Sequence, residues 1–187
     1  MSRRFEVLGA PLSGLQLIRR LPIRDERGWL ERIYESEMFA ELLSGQCIAQ
    51  INRTLTAHRG TVRGMHYQLP PHAEAKLVSC LRGTVLDVAV DVRRGSPSFL
   101  QWHAQCLSAE NHLSLLIPPG FAHGFQALEE NCELLYLHTA AYVPQAEAAL
   151  NARDPRLAIS WPEPITMQSP RDAAHPLLGA DFQGVGL

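Results

Sequence analysis

A series of short apolar segments, separated by glycine and proline, runs from about residue 46 to residue 143 and restricts the chain to few folds. In the clearest segment, residues 84–92, every even position from 86 onward is apolar, whereas Asp87 and Asp91 fall on the opposite face. This alternation is typical of an antiparallel strand with unequal faces. Regularly spaced short strands with glycine and proline turns predict an all-β sandwich or barrel.

Further elements are predicted from the same kinds of pattern. Additional strands are expected at residues 76–81, 113–117, 124–128 and 133–139. One helix is expected at 35–43, because Ser44 and Gly45 follow it as a stop signal. Alternation fades and proline and alanine become frequent over residues 145–187, which favours an extension that wraps the barrel. We therefore expect one domain over residues 1–187.

The composition argues against several classes of protein. Hydrophobic residues make up 46% and charged residues 19% of the 187 positions, which suits a domain with a buried core. A net charge of −2 without a basic patch argues against nucleic acid as a partner. No apolar run is long enough to cross a membrane, and no apolar stretch follows the basic N-terminus as in a secretory signal. We expect a cytoplasmic protein without a membrane partner.

The four cysteines are not arranged as a metal or redox motif. They are Cys47, Cys80, Cys106 and Cys132, and none forms a Cys-x-x-Cys pair. In a reducing compartment, cysteines of this kind usually behave as small apolar side chains. We expect all four to lie in the core.

A polar row marks the first strand of the alternating region. Gln50, Asn52 and Thr54 share one face of this strand, and Ile51 lies on the other. An amide–amide–hydroxyl row is unusual on a face that packs a core. Either the row faces solvent or it lines a polar cavity, and the sequence leaves both interpretations open.

Two histidines lie in segments that could carry chemistry. His66 and Gln68 share a strand face shortly before Lys76, and His123 is flanked by proline and glycine, which favours a tight turn that presents its side chain. Metal-binding barrels of the cupin class typically use a His-x-His pair, a glutamate and a later histidine. Here Gln68 replaces the second histidine, and an ammonium group nearby disfavours a divalent cation. We expect no metal.

Six segments occur in an order that carries a family resemblance. They are 25–28 (Asp-Glu-Arg-Gly), 50–52, 63–68 (Arg-Gly-Met-His-Tyr-Gln), 87–97, 120–125 and the pair Asp154-Pro155 with Trp161-Pro162. On these residues the chain resembles the dTDP-4-dehydrorhamnose 3,5-epimerases, which are metal-independent cupins, over nearly its full length. The resemblance implies a cupin/jelly-roll β-barrel with short peripheral helices and no cofactor. It also implies a homodimer in which residues 25–32 reach the neighbour's site.

The resemblance implies a reaction on a nucleotide-diphosphate-linked 4-keto-6-deoxy-hexose, whose C3 and C5 protons are acidified by the C4 ketone. His66 corresponds to the family's base, and Asp172 to the aspartate that orients it and stabilises its cation. Lys76 corresponds to the cation beside the enolate oxygen, and Tyr136 to the acid on the opposite ring face. The implied substrate-binding residues are Arg27, Gln50, Asn52, Arg63, His123, Tyr142, Glu147 and Arg171.

Two of these residues have plain structural alternatives, and the side-chain direction of a third, Arg63, needs an explanation. Tyr136 could be a buried aromatic residue with a satisfied hydroxyl. Asp172 could cap a C-terminal helical turn. Arg63 lies three residues from His66, so strict alternation points the two side chains apart unless a β-bulge at Gly64 reconciles them.

One segment departs from the family pattern. Where the family carries a phenylalanine and a glutamate that help to hold the thymine ring, this chain has Leu30 and Arg32, and Glu31 lies one residue early. Arginine only donates hydrogen bonds and cannot accept one from the thymine N3–H. Either the nucleotide is not dTDP, since cytosine presents an acceptor at N3, or Arg32 swings out and Glu31 shifts register.

The function expected from the resemblance is 3,5-epimerisation in dTDP-L-rhamnose or related deoxysugar biosynthesis, and therefore isomerase activity. The alternatives are a 3-only or 5-only epimerase acting on a CDP- or GDP-linked sugar, and a non-catalytic cupin that binds sugar nucleotides. A 3,4-ketoisomerase and a metal-dependent oxygenase of the same fold are less consistent with the His–Lys–Tyr set. Which carbon reacts depends on the pose of the sugar, and the sequence does not determine that pose.

Overall fold

The computed structural model describes residues 4–187, and most of its regular secondary structure is antiparallel strand. The strands are β1 (Phe5–Gly9), β2 (Gln16–Arg20), β3 (Ile23–Asp25), β4 (Gly28–Leu30), β5 (Gln50–Thr56), β6 (Val62–Gln68), β7 (Lys76–Arg82), β8 (Thr84–Asp91), β9 (Trp102–Ser108), β10 (Leu113–Ile117), β11 (Phe121–Ala127), β12 (Cys132–His138) and β13 (Glu147–Ala149). The helices are α1 (Ser36–Leu42) and α2 (Pro170–Ala173), and one 3-10 turn covers Pro144–Ala146.

Two large sheets form the body of the molecule. One has six strands in the order β1-β2-β10-β7-β12-β5, and the other has five in the order β13-β6-β11-β8-β9. A core between the sheets joins side chains of both, such as Val78 and Leu134 from the first and Ala89 and Phe125 from the second. The two sheets bury one face each against the other and form the body of the molecule. The prediction of an all-β protein is therefore confirmed.

The apolar face of β8 does not point into this central core. Val88 and Val90 pack on the outside of the five-stranded sheet, beneath Leu150 and Leu157 of the C-terminal segment. The odd positions of β8 therefore face the interior, where Asp87 is fully buried. The C-terminal segment covers this sheet, and it also adds β13 to the sheet edge beside β6.

Helix α1 covers the outer face of the six-stranded sheet. Phe39 and Leu43 pack there against Leu77, Leu116 and Leu137. The helix lies within one residue of its predicted limits, and Gly45 follows it with a φ of 77°, which suits glycine at a helix end.

Several sequence predictions were incomplete or wrong. Strands β1 to β4 precede the predicted alternating region, and β11 begins three residues before its predicted start at residue 124. Cys47 and Cys106 are exposed, so the expectation of four core cysteines holds only for Cys80 and Cys132. Over residues 4–187, no helix combines the length and the apolarity needed to span a bilayer.

Candidate active site

A cavity of about 650 Å³ opens between the two sheets, at the end where β5, β6, β7, β11 and β12 meet the C-terminal segment. The polar row of β5 lines it: Gln50, Asn52 and Thr54 face the cavity, whereas Ile51 and Leu55 on the other face are exposed. The structure thus decides between the two interpretations of this row. It belongs to a polar cavity.

On the five-stranded sheet, His66 projects into the cavity and is held by Asp172. The distance from His66 Nε2 to Asp172 Oδ1 is 2.9 Å, and Asp172 Oδ2 accepts a hydrogen bond of 3.3 Å from the Gly64 N–H. Burial by itself would raise the pKa of the Asp172 carboxyl, but the His66 and Gly64 hydrogen bonds and the nearby imidazole hold that pKa below its ordinary value. A carboxylate is therefore maintained beside the imidazole.

The alternative role of Asp172 as a helix cap is taken by another residue. Ser169 is the N-cap of α2, and its hydroxyl accepts a hydrogen bond from the Asp172 backbone N–H at 3.0 Å. This cap fixes the start of a four-residue helix whose third residue is Asp172. The side chain of Asp172 is therefore not the helix cap, and its carboxylate contacts His66 instead.

A β-bulge brings Arg63 and His66 to the same cavity. His66 lies opposite His123 on β11, but Arg63 lies opposite Phe125, so three steps along β6 face two steps along β11. Gly64 occupies the bulge with a φ of +128°, and a Cβ there would lie 2.4 Å from Gly124 Cα. The predicted bulge is confirmed. The Arg63 Nε donates to Thr56 Oγ1 at 3.0 Å, at the rim of the cavity.

Lys76 reaches the cavity as a buried ammonium group. Its Nζ lies 3.1 Å from Glu74 Oε1 and donates to the His66 backbone oxygen at 3.0 Å. Glu74 is itself buried and accepts a second hydrogen bond, of 2.9 Å, from Gln68 Nε2. Glu74 balances the lysine charge, and sequence reasoning missed it because it lies in the loop before β7 and belongs to none of the recognised segments.

On the six-stranded sheet, Tyr136 faces the cavity from β12. It is almost fully buried, its hydroxyl lies 3.5 Å from Thr54 Oγ1, and burial raises its pKa above that of an ordinary phenol. The Tyr136 ring packs edge-to-face with His123 and stacks on His138, with centroid distances of 6.0 and 6.1 Å. The hydroxyl therefore retains its proton at neutral pH.

His123 is not in a turn, as the sequence suggested. The turn ends at Gly120, and His123 lies inside β11, where its Nε2 is 2.7 Å from Asp87 Oδ1. Proline and glycine near a histidine indicated a loop, but the strand begins immediately after them. Asp87 was not recognised as a site residue. The sequence does carry a signal for Asp87, because its odd position places it on the face of β8 opposite the apolar residues.

Three residues meet at the exposed side of the cavity. The Tyr142 hydroxyl donates to Glu147 Oε2 at 2.6 Å, and Arg171 forms an ion pair with the same carboxylate. Burial would raise the pKa of Glu147, but the hydrogen bonds from Tyr142 and Arg171 lower it. This arrangement leaves the Tyr142 ring half exposed beside the cavity.

The hairpin of β3 and β4 lies outside this cavity. Arg27, whose side chain is 85% exposed, pairs with Asp25. Arg32 pairs with Glu35 at 2.9 Å, while the Glu31 carboxylate is buried 3.0 Å from Arg20 Nε and 2.7 Å from His112 Nδ1. Neither Arg27 nor Arg32 is among the residues that line the cavity of its own chain. The predicted binding role of Arg27 requires a second subunit.

In the part of the chain that the structure describes, no cluster of three or more histidine, cysteine, aspartate or glutamate side chains could bind a metal. Two side chains that can transfer protons lie on opposing sides of the cavity. His66 comes from the five-stranded sheet and Tyr136 from the six-stranded sheet, with the Lys76 ammonium beside them. This arrangement can remove a proton from one face of a flat molecule and return one to the other face.

Comparison with known proteins gives a match to one family. The chain matches the family model of dTDP-4-dehydrorhamnose 3,5-epimerase over residues 10–180. The dTDP-4-dehydrorhamnose 3,5-epimerase of Sinorhizobium fredii is 39% identical over 168 residues, which cover 89% of this chain and 86% of that protein.

Solved structures agree with this match. The crystal structure of dTDP-6-deoxy-D-glucose-3,5-epimerase from Legionella pneumophila, in complex with dTDP-4-keto-L-rhamnose, has a TM-score of 0.89 at 37% identity and covers 98% of this chain and 99% of that one. A 3'-monoepimerase from Streptomyces bikiniensis in complex with dTDP-quinovose has a TM-score of 0.83 at 34% identity, with coverages of 90% and 85%. The expected cupin-like fold is thereby confirmed.

Proposed function

The chain belongs to the dTDP-4-dehydrorhamnose 3,5-epimerase family, and on this premise we propose that it inverts both C3 and C5 of a dTDP-linked 4-keto-6-deoxy-hexose. The observation that carries the proposal is the entry of His66 and Tyr136 into one cavity from opposing sheets. A sugar ring bound between the sheets presents one face to each residue. Transfer of a proton away from one face and back to the other inverts the carbon.

His66 is the base of this mechanism. Because Nε2 is held by the Asp172 carboxylate, Nδ1 is the nitrogen that takes the proton from the carbon next to the ketone. The carbon–hydrogen bond breaks, its electron pair moves into the carbon–carbon bond of an enolate, and the ketone oxygen becomes negative. Asp172 stabilises the imidazolium that forms, since its pKa is held low and it stays ionised.

Lys76 stabilises the enolate oxygen. Its ammonium group is fixed by Glu74 and by the His66 backbone oxygen, so it is oriented before the substrate binds. A preorganised charge of this kind contributes about 3 kcal/mol to the stability of an oxyanion-like transition state. No redox cofactor or metal enters the proposed steps, because a proton is both removed and returned.

Tyr136 is the acid on the other face. Its hydroxyl gives a proton to the enolate carbon, which completes the inversion. Tyr136 then recovers a proton from solvent, and His66 releases to solvent the proton that it took. Burial raises the pKa of the phenol, so the group is protonated when the enolate forms. Arg63 and Arg171 supply guanidinium groups at the cavity rim that suit the diphosphate, and Tyr142 offers a ring for the sugar or the base.

The nucleotide in this proposal is dTDP. The relatives named above act on or bind dTDP sugars, as their names state. Arg32 pairs with Glu35 at 2.9 Å, so it would have to leave this ion pair to read a cytosine in a partner's cavity.

We further propose a homodimer located in the cytoplasm. The hairpin of β3 and β4 exposes Ile23, Trp29 and Leu30 and contacts none of the cavity of its own chain. Such a surface suits a partner subunit, whose cavity Arg27 would then approach. The cytoplasm is where a nucleotide sugar and unpaired cysteines are both expected.

Deuterium exchange in D₂O tests the reaction. The wild-type enzyme is incubated with dTDP- and CDP-4-keto-6-deoxyglucose, and deuterium at C3 and C5 is followed by NMR. We expect exchange and inversion at both carbons of the dTDP sugar, and much slower exchange of the CDP sugar. Exchange at one carbon only would indicate a monoepimerase, the second candidate, which the likeness to the Streptomyces bikiniensis 3'-monoepimerase favours. Exchange with neither sugar would refute the proposal.

A further inference from the structure

His138, the last residue of β12, lines the cavity beside the proposed catalytic groups, and none of the steps above uses it. It pairs across the sheet with Lys76 on β7 and with Gln50 on β5, and its ring stacks on that of Tyr136 at an interplanar angle of 25°. In this position the half-buried imidazole of His138 contacts Tyr136, the proposed proton donor, and also lines the cavity. Its protonation state therefore matters to what the cavity recognises.

A chain of hydrogen bonds determines which ring nitrogen of His138 carries the proton. The Tyr142 backbone N–H donates to Gln50 Oε1 at 2.9 Å, so Gln50 must present its Nε2 elsewhere. That Nε2 donates to Asn52 Oδ1 at 3.2 Å, which leaves the Asn52 Nδ2 to face His138 Nε2 at 3.5 Å. Since a backbone N–H can only donate, the polarity of both amides follows from it. His138 Nε2 is thus the acceptor, and Nδ1 carries the proton.

The surroundings keep His138 neutral. Burial, together with the charges of Lys76 and His123, lowers the pKa of His138 to about 4. No acceptor for its Nδ1–H is found among residues 4–187, so a single neutral donor remains available on the lining of the cavity. A neutral donor suits an uncharged oxygen of a sugar better than it suits a phosphate.

We propose that His138 is a specificity-determining residue, whose Nδ1–H donates a hydrogen bond to an oxygen of the 4-keto sugar and sets the rotation of the ring over His66. This inference rests on the proposed epimerisation, since it assigns a ligand to the same site. Rotation of the ring determines which of C3 and C5 lies over the base. Gln50 and Asn52 act through His138 as positioning residues, because they select its tautomer.

The first test reads the tautomer without substrate. In ¹⁵N-labelled free enzyme at pH 7, we expect the ring signals of His138 to show protonated Nδ1 and unprotonated Nε2. In N52L, which removes the donor to Nε2, we expect a mixture of the two tautomers. Protonation on Nε2 in the wild-type enzyme would overturn the inference, and so would a tautomer that is the same in N52L.

The second test uses three substitutions of His138. H138F keeps a ring to stack on Tyr136 but has no donor, H138N places an amide nitrogen near the position of Nδ1, and H138Q places one near the position of Nε2. For H138F and H138Q we expect KM to rise about tenfold, as for the loss of one hydrogen bond, and the ratio of C3 to C5 exchange to change at least about fivefold. H138N should stay within about threefold of the wild type in both.

Equal KM and equal exchange ratio in H138F would refute the role of His138. The proposed role would also be refuted if H138Q kept the wild-type KM and exchange ratio and H138N did not, because the donor would then be at Nε2. If the wild-type enzyme exchanges neither carbon, the proposed epimerisation fails. The tautomer of His138 is measured in the free enzyme and is therefore tested independently of that result. The two failures are therefore distinguishable.

Discussion

At the scale of single residues, each proposed catalytic group has a buried or partly buried partner that sets its charge or position. Asp172 holds one nitrogen of His66, Glu74 balances Lys76, and burial keeps the proton on Tyr136. Such pairing is what separates proton-transfer groups from ordinary polar residues that line a cavity. It also makes the two protonation roles separable by mutation.

Replacement of Tyr136 by phenylalanine should separate enolisation from inversion. His66 can still remove a proton and return a deuteron to the same face, so exchange with D₂O should remain within about threefold of wild type. Inversion should fall by about 10²- to 10⁴-fold, because the acid on the other face is lost. NMR of the sugar in D₂O measures both quantities in one sample. Equal loss of exchange and inversion would assign Tyr136 to the first step instead.

Of the proposed catalytic residues only His66 lies in one of the six recognised segments, and the other three were assigned because they correspond to family positions. His66, Lys76, Tyr136 and Asp172 all line the cavity. Glu74 pairs with Gln68 and Lys76, which are near it in the sequence, but it lies in a loop that has no strand pattern. The roles of Asp87 and His138 depend on residues far along the chain or on strands that meet only in the folded sheet. Pairing of this kind leaves no local spacing signal.

At the scale of elements, the bulge in β6 is the device that brings Arg63 and His66 together. Gly64 has a φ of +128° and closely approaches the backbone of Gly124, so a side chain there meets both conformational and steric resistance. The catalytic strand therefore depends on one glycine for its register.

Substitution of Gly64 by alanine should destabilise the protein by more than about 3 kcal/mol, since the added Cβ would clash with the backbone of β11, which cannot move aside as a side chain can. Gly45 is the matched control, because its φ is +77° but its Cβ would meet open space. There, alanine should cost only about 1 kcal/mol. Urea unfolding monitored by circular dichroism gives both values. Similar losses in the two variants would contradict the proposed close approach.

Asp91 at the end of β8 stabilises the following turn in a pH-dependent way. Burial would raise its pKa, but hydrogen bonds from Arg93, Ser96 and Ser98 lower it from 3.8 to about 2. A carboxyl with a lowered pKa contributes stability fully above its ordinary pKa and loses that stability as the pH falls through the lowered value. The contribution should therefore be complete above about pH 4 and decline toward pH 2.

Urea unfolding of D91N at several pH values tests this expectation. At pH 7 the variant should be less stable than wild type by on the order of 2 kcal/mol, and the difference should shrink between about pH 4 and pH 2. E110Q alters an exposed turn residue and serves as the control, with no such trend. A difference that stays constant down to pH 2 would show that the carboxylate charge is not responsible.

The elements with an alternating or nearly continuous apolar pattern were predictable, and those in which charged residues interrupt the pattern were not. Strand β10 matches its predicted limits, because all but one of its five residues are apolar and glycine or proline lies near its end. Strands β1 and β2 were missed because Glu6, Arg19 and Arg20 obscure their apolar positions. Arg20 is buried beside its partners Glu31 and Ser114, contacts that no local pattern reveals.

At the scale of the whole molecule, the exposed hairpin of β3 and β4 should form part of a dimer interface. We expect the wild-type protein to sediment with twice its chain mass of 20.8 kDa. W29D places a charge on the hairpin and should weaken the dimer at least about tenfold, whereas L177D, at a similarly exposed apolar residue elsewhere, should not. Analytical ultracentrifugation decides the point. A monomeric wild type, or equal effects of both variants, would contradict the proposed interface.

The central claim is that His66 removes a proton from the carbon next to the ketone of a dTDP-linked 4-keto sugar. The measurement that tests it most directly is the rate of deuterium entry at C3 and C5 in D₂O for wild type, H66A and H58A. His58 is an exposed histidine that does not line the cavity, so H58A controls for the loss of an imidazole. We predict exchange at both carbons in wild type and H58A and a loss of at least about 10³-fold at both carbons in folded H66A. Exchange at the wild-type rate in H66A would contradict the account.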